Sequence, residues 1–258
     1  GCMPSMITVK LDPCGRWSVS LRINDTRDLR LNSTKKQLGI ELGITSLLTT
    51  SDGEKVANPR NLQKLHKKLK LAQKSLSRKR DKKSNNYQKA KLKVAKIYAL
   101  IKDSRLDYTH KLTTRLIREN QTIVVEDLAV KNMVKNHKLA RVISDANWVE
   151  LLRQLEYKAE WYGRTLIKID RYFPSSKRCS NCGHVVEKLP LNIREWDCPE
   201  CGSHHDRDIN ASINILAAGQ AVSVCGATVR PEESKSRRAS AMKQKVPNSD
   251  ARESGPVS

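Results

Sequence analysis

Two hydrophobic periods divide this chain. Ile7-Thr-Val-Lys-Leu11 alternates apolar with polar, Asp12-Pro-Cys-Gly15 is turn-forming, and Trp17-Ser-Val-Ser-Leu-Arg-Ile23 alternates again, which predicts a β-hairpin. Leu38 to Ile44 and Ser46 to Thr50 predict a second pair of strands, closed by an Asp52-Gly53 turn. Thr122-Ile-Val-Val125 is a short apolar run suited to a buried strand that ends at Glu126-Asp127, and Thr165 to Ile169 reads as another strand. Elsewhere the period is helical. Leu62, Leu65, Leu69, Ala72 and Leu76 recur at three- and four-residue steps, as do Tyr87, Ala90, Val94, Ile97, Ile101 and Tyr108. The polar stretch Asp81 to Asn86 separates them, so the expectation is an antiparallel helical hairpin with its apolar seams together and its lysines and arginines outward. Trp148 to Tyr162 and Ile209 to Ala218 predict two more amphipathic helices, the second stopped by Gly219. From about Thr228 onward Ser, Arg, Lys and Pro replace apolar residues, and that tail is expected to be disordered. The fold class is therefore mixed α/β.

Charge narrows the partners. The 258 residues hold 49 Lys+Arg against 27 Asp+Glu, a net charge of +22. Between Arg60 and Lys111 there are 18 Lys/Arg and three acids, net +15, so two-thirds of the excess sits in one-fifth of the chain. Such a density points to a polyanion rather than to an ordinary solvated helix face. With only one Phe, four Trp and six Tyr, stacking platforms are few, and phosphate contacts through residues such as Lys67, Lys68, Arg78, Lys79 and Arg80 are expected to dominate.

Four of the seven cysteines form two CxxC pairs, Cys179-Ser-Asn-Cys182 and Cys198-Pro-Glu-Cys201. That spacing suits one tetrahedral Zn²⁺ held by four thiolates in a ribbon, a closed structural site with no catalytic position. Disulfides are the alternative, and they need an oxidising compartment. The opening Gly1-Cys2-Met3-Pro4-Ser5-Met6 lacks a basic-then-apolar signal pattern, and no run approaches the roughly eighteen apolar residues of a membrane span. Cys2, Cys14 and Cys225 are scattered and receive no role.

Three acids stand on core elements: Glu41 within an apolar strand, Glu126 at the end of a buried one, and Asp208 in the first turn of a helix. Several carboxylate oxygens are what hard cations require, and paired Mg²⁺ or Mn²⁺ ions can stabilise both the attacking and the leaving oxygen in phosphodiester hydrolysis. Each acid also has a structural reading. Glu126 or the neighbouring Asp127 could cap a strand end, and Asp206 is expected to cap the last helix. Glu41 is hardest to dismiss, because an acid in an apolar strand needs a metal or partner to offset its desolvation.

Taken together, Gly39-Ile-Glu-Leu-Gly-Ile44, Ile123-Val-Val-Glu-Asp-Leu128, Cys179-Ser-Asn-Cys182 and His205-Asp-Arg-Asp-Ile-Asn-Ala211 closely resemble the TnpB (OrfB) family of bacterial insertion sequences, relatives of the type V CRISPR effectors. The match spans roughly residues 1 to 225. It implies an RNase H-like (RuvC) mixed sheet with a helical hairpin insertion and a zinc-ribbon insertion. It also implies transposase-associated cleavage of DNA selected by a transposon-derived guide RNA, in a bacterial cytoplasm, at the nucleoid when DNA is bound, and with no membrane. By position the catalytic, magnesium-binding acids correspond to Glu41, Glu126 and Asp208, and the zinc thiolates to Cys179, Cys182, Cys198 and Cys201. The expected organisation is the end of a β wedge over 1–35, a RuvC-like domain over 36–174 that includes the basic hairpin 60–111, a zinc ribbon over 175–204, the last RuvC helix segment over 205–225 and a basic tail over 226–258.

Two departures temper the activity that the resemblance implies. Members carry Asp where this chain has Glu41, and the extra methylene displaces a ligand of an ion that demands near-ideal octahedral geometry. The chain also begins at Gly1 without most of the family's N-terminal region, as a truncated copy or a piece of a longer chain would. The expected function is an RNA-guided DNA endonuclease weakened by these two features, with a nuclease-dead nucleic-acid binder or an inactive transposon remnant as alternatives.

Overall fold

The structure, a computed structural model, describes residues 3–136 and 139–224. The expected tail, Cys2 and Cys225 lie outside the described residues.

Strands β1 (Met6–Leu11) and β2 (Trp17–Arg22) pair antiparallel as a separate ribbon. Register sets Ile7 opposite Leu21, Val9 opposite Val19 and Leu11 opposite Trp17, so one face is apolar; all six residues are exposed. An extended segment then leads to the main sheet.

That sheet is built from β3 (Gln37–Leu42), β4 (Ser46–Thr50), β5 (Lys55–Ala57), β6 (Thr122–Glu126) and β7 (Thr165–Ile169), in the order β5-β4-β3-β6-β7. β3, β6 and β7 are parallel; β4 and β5 are antiparallel additions at one edge. The Asp52-Gly53 turn therefore does more than close a strand pair. Gly53 takes φ 88°, a left-handed conformation that glycine adopts without strain, and the chain returns as β5, a three-residue strand too short to leave a sequence period.

Alternation along the strands separates two layers. Leu38, Ile40 and Leu42 join Ile123 and Val125 on one face, covered by Leu112, Leu116 and Ile117 of α2 (Asn85–Glu119) and by Leu151 and Leu155 of α5 (Trp148–Tyr162). Val124, Ile167 and Ile169 turn to the other face and pack on Ile215 of α6 (Arg207–Val224). Contact here is close. A Cβ on Gly39 would lie 2.1 Å from the Ser212 carbonyl oxygen, and one on Gly219 would lie 2.5 Å from Val124 Cγ1. Gly219 thus does not stop the helix; α6 runs through it, because its missing side chain lets the helix lie against β6. Gln220 Nε2 donates to Gln37 Oε1 at the start of β3, so α6 runs antiparallel to β3 with its N-terminus over the carboxyl ends of the strands.

The helical hairpin is formed by α1 (Asn61–Ser77) and α2, whose seam joins Leu69 and Ala72 to Val94, Ile97 and Ile101. The periodicity over 87–108 captures only part of α2. Its 35 residues continue to Glu119, and the last third is the buried helix of the main core. At the hairpin root Asp145, on α4 (Ala140–Ala146), accepts from the Leu62 amide and from Arg105 Nε and Nη2. Two small strands, β8 (Glu195–Asp197) and β9 (His204–Asp206), and the short helix α3 (Val130–Met133) complete the described residues.

Candidate acidic centre and cysteine cluster

Glu41 is the fifth residue of β3, Glu126 the last of β6 and Asp208 the second of α6. Strand alternation places Glu41 with Gly39, and Glu126 with Val124, on the face that α6 covers. The first turn of α6 brings Asp208 over the same strand ends. The other two carboxylates act on Glu41. Burial, then the negative charges of Asp208 and Glu126, push the Glu41 carboxyl up to about 9, against the opposing pull of Arg207 and Arg194. Burial raises Glu126 as well, countered by donation from Ser175 Oγ to its Oε1. Glu41 Oε2 is buried and has no hydrogen-bond partner among the described residues.

This arrangement is short of positive charge. Three acids cannot all ionise in one partly desolvated place unless a cation neutralises them, and the alternative is the proton that Glu41 retains. The donor set is all carboxylate oxygen, and one acceptor is unused, so these residues fit a hard divalent cation.

The second-choice acids have other occupations. Asp206 Oδ1 accepts from the amides of Asp208 at 3.1 Å and Ile209 at 3.0 Å, capping α6, while its Oδ2 meets Lys55 Nζ at 2.5 Å. Asp127 pairs with Arg171 at the surface.

The four ribbon cysteines converge. Their sulfurs all lie within 4.8 Å of one another, with Cys179–Cys201 at 3.7 Å and Cys182–Cys198 at 3.6 Å. Zn–S bonds of about 2.3 Å in a tetrahedron give edges of roughly 3.8 Å, so the cluster has the dimensions of a four-thiolate metal site. His205 Nε2 sits 3.0 Å from Cys179 Sγ, and its ring packs 5.0 Å from that of Trp196.

The ribbon and the acidic centre are physically joined. Asn210 Oδ1 accepts from the Ser180 amide at 2.9 Å, and its Nδ2 donates to the Arg178 carbonyl at 2.8 Å. Asn214 Nδ2 donates to the carbonyls of Ser175 and Arg178. Both asparagines are buried on α6 one helical turn apart, and Ser175 in turn holds Glu126. Arg194, on the ribbon just before β8, places Nη1 3.5 Å from Asp208 Oδ1. Sequence reading missed Ser175, Asn214, His205 and Arg194. Asn210 and Asn214 could have been found as an i,i+4 polar pair inside an otherwise apolar helix; Arg194 sits in a loop whose pattern gives no such signal.

The basic candidates gather elsewhere. Lys67 and Lys68 lie exposed on α1, and Arg78, Lys79 and Arg80 follow it in the hairpin tip; none enters the acidic centre. Lys68 joins Lys89, Lys93 and Lys96 around a groove of about 430 Å³ floored by Leu92, Ile97 and Leu100.

The sheet carries half-buried acids at its carboxyl edge and is joined to a four-cysteine cluster, and the chain has similar proteins of known name. Residues 19–137 match the OrfB_IS605 family model, described as a probable transposase, and residues 148–215 match the Cas12f1-like TNB domain. An RNA-guided DNA endonuclease assignment is carried by a protein of Streptomyces pristinaespiralis that is 54% identical over 237 residues, covering 92% of this chain and 58% of that one. The same assignment is carried by InsQ of Escherichia coli K12, 34% identical over 232 residues, covering 84% of this chain and 57% of InsQ. The chain thus spans little more than half the length of these relatives. Among solved structures, the cryo-EM structure of a Cas12f1–sgRNA–target DNA complex superposes with a TM-score of 0.57 at 19% identity, covering 83% of this chain and 46% of that one, a likeness of fold. Over residues 19–137 the chain is similar to the OrfB family, and over residues 148–215 to the Cas12f1-like TNB domain.

Proposed function

We propose that this chain carries the catalytic portion of an RNA-guided DNA endonuclease of the transposon-encoded kind, with a RuvC-like, RNase H-type sheet into which the basic hairpin and the ribbon are inserted. Its partners in this reading are a DNA target and a guide RNA, as the names of its relatives and the content of the Cas12f1 complex suggest for those proteins. The observation that carries the reading is the Glu41 carboxyl, buried beside two further acids, raised to about 9 and left with an unused oxygen.

Glu41, Glu126 and Asp208 would hold Mg²⁺ or Mn²⁺, and the four cysteines a structural Zn²⁺. Divalent ions at such a centre lower the pKa of bound water and neutralise charge developing on a scissile phosphate. The chain's own residues do the positioning. Ser175 fixes the Glu126 carboxylate, Asp206 caps α6 and so orients Asp208, and the positive end of α6 favours anionic charge there. Arg194 offers a guanidinium to a phosphate oxygen beside Asp208. The lysines of the hairpin bind backbone phosphate, and specificity falls to base pairing with the guide.

A second reading is favoured by one residue. Glu41 stands where the resemblance expects Asp, and a displacement of about 1 Å in a catalytic group can cost about 10²-fold in rate. A binder that holds nucleic acid and cuts poorly is the outcome in that case. Cleavage of single-stranded DNA with Mg²⁺ or Mn²⁺ separates the two, using the parent, Glu41→Asp and Asp208→Ala. Activity in the parent that is lost in Asp208→Ala supports the nuclease. A silent parent beside an active Glu41→Asp supports the binder, and silence in all three removes the catalytic reading.

A further inference from the structure

Arg207 is the first residue of α6, between Asp206, which caps the helix, and Asp208, whose carboxylate belongs to the acidic centre. Arginine is seldom buried unless its charge is paired. This one is 8% exposed, and among the described residues its side chain bonds only to backbone carbonyls. Nη1 donates to the Pro190 carbonyl at 2.7 Å and reaches those of Leu189 and Ile193 at 3.5 Å each. All three lie on the ribbon loop that leads into β8.

That loop has little else to hold it. Every residue from Pro190 to Glu195 is exposed, so burial of apolar surface does not fix the stretch. Hydrogen bonds do. The Ile193 amide donates to the Pro190 carbonyl at 3.1 Å, and the Arg207 amide donates to the Arg194 carbonyl at 2.8 Å. Arg207 thus grips the loop twice, with its guanidinium at the start and its backbone at the end. Between those two grips the loop turns and presents Arg194, whose Nη1 stands 3.5 Å from Asp208 Oδ1. The charges of Arg207 and Arg194 both favour ionisation of Glu41, so both guanidinium groups lie within electrostatic reach of the acidic centre.

We infer that Arg207 is a positioning residue, which locks the ribbon loop so that Arg194 is held ready for a phosphate of the DNA strand. The inference rests on the nuclease reading, in which Arg194 meets that phosphate. Arg207 acts through Arg194 and touches neither strand nor metal. A guanidinium suits this task, because its planar fork of N–H donors can serve several carbonyls at once, whereas an ammonium is a point charge. A slack loop would leave Arg194 to be ordered at each encounter with substrate, and misplacement of such a group is costly in rate.

The test is a double-mutant cycle read in two ways. Arg207→Gln, Arg194→Ala and the double variant are compared for single-turnover cleavage of single-stranded DNA with Mn²⁺, in the parent and in Glu41→Asp. The order of the Arg194 Nε–Hε group is measured in parallel by ¹⁵N relaxation without added Mn²⁺. Arg207→Gln should slow cleavage by about tenfold and disorder the Arg194 signal, Arg207→Lys should recover part of both, and Arg207→Gln should slow nothing further once Arg194 is alanine. Leu191, 80% exposed on the same loop, supplies a variant that loses no packing. Leu191→Gly loosens the loop and should reproduce the pattern if Arg207→Gln does not fold. Equal slowing by Arg207→Gln with and without Arg194, or an Arg194 signal as ordered in Arg207→Gln and Leu191→Gly as in the parent, overturns the positioning role and leaves the nuclease reading standing. Absence of cleavage in every chain, Glu41→Asp included, overturns the nuclease reading and this inference with it.

Discussion

The guanidinium of Arg194 reaches from the cysteine ribbon to within 3.5 Å of the Asp208 carboxylate on α6. The ribbon therefore contributes charge as well as structure to the acidic centre, and its fold fixes where that charge lies. Arg194 is more than half exposed and its backbone carbonyl accepts from the Arg207 amide, so removing its side chain leaves the backbone register intact. In Arg194→Ala the rate of DNA cleavage should fall by about 10- to 100-fold while the thermal midpoint stays within about 1 °C, and Arg194→Lys should recover part of the loss. A matching fall in both rate and midpoint would make the residue structural instead.

Loss of the Zn²⁺ proposed for the four cysteines should act at a distance. Cys179 and Cys198 are buried and all four sulfurs lie within 4.8 Å of one another, so without an ion nothing would bond the two CxxC loops together. The ribbon root is held by Asn210 and Asn214, and Ser175 in the same root holds Glu126. A zinc-selective chelator, or Cys198→Ser, should release about one equivalent of zinc by mass spectrometry. It should also abolish cleavage while the main core, whose hydrophobic cluster contains no ribbon residue, keeps its far-ultraviolet dichroism.

Gly39 tests the closeness of α6 and β3. A Cβ there would overlap the Ser212 carbonyl oxygen at 2.1 Å and Leu216 Cβ at 2.8 Å, backbone and near-backbone atoms that cannot step aside. Gly39→Ala should cost about 3 kcal/mol or more, read as a shift in the chemical denaturation midpoint. Gly53→Ala, which meets nothing within 4 Å, carries only the strain of its positive φ and should cost about 1 kcal/mol.

Much of this architecture is legible in the sequence because short elements carry one dominant signal. α5 and β7 begin and end where the apolar pattern places them, and the two CxxC pairs bring four sulfurs together. The failures are equally physical. β5, β8 and β9 have three residues each, too few to establish an alternation of apolar and polar positions. Gly219 reads as a helix stop from propensity alone, yet tertiary contact with Val124 overrides it. The acids Glu41, Glu126 and Asp208 could be picked out one by one, but their mutual repulsion depends on strand order and on the direction of α6. Arg194 and Ser175 belong to the site only through the ribbon's path, and no local pattern encodes that.

The pH dependence of stability follows from Glu41. Its folded carboxyl titrates near 9 against an ordinary value of 4.5, because burial and the charges of Asp208 and Glu126 oppose ionisation. The folded state therefore binds more protons than the unfolded state between those two values. The stability that Glu41 contributes as a neutral acid is complete below about pH 4.5 and is lost as pH rises towards 9, with Glu126 adding in the same direction. Metal-free protein should thus lose thermal stability steadily from pH 6 to pH 9. Glu41→Gln should flatten that slope and raise the midpoint at pH 8 by about 2–4 °C, the equivalent of about 1 kcal/mol in a domain of this size. Added Mg²⁺ or Mn²⁺ should restore the parent's midpoint at pH 8 and leave Glu41→Gln largely unmoved, since the substitution removes one of the three carboxylates that would hold the ion. Differential scanning calorimetry of both proteins, with and without the ion, reads all four quantities. A parent whose midpoint ignores both pH and metal would remove the electrostatic basis of the proposed site.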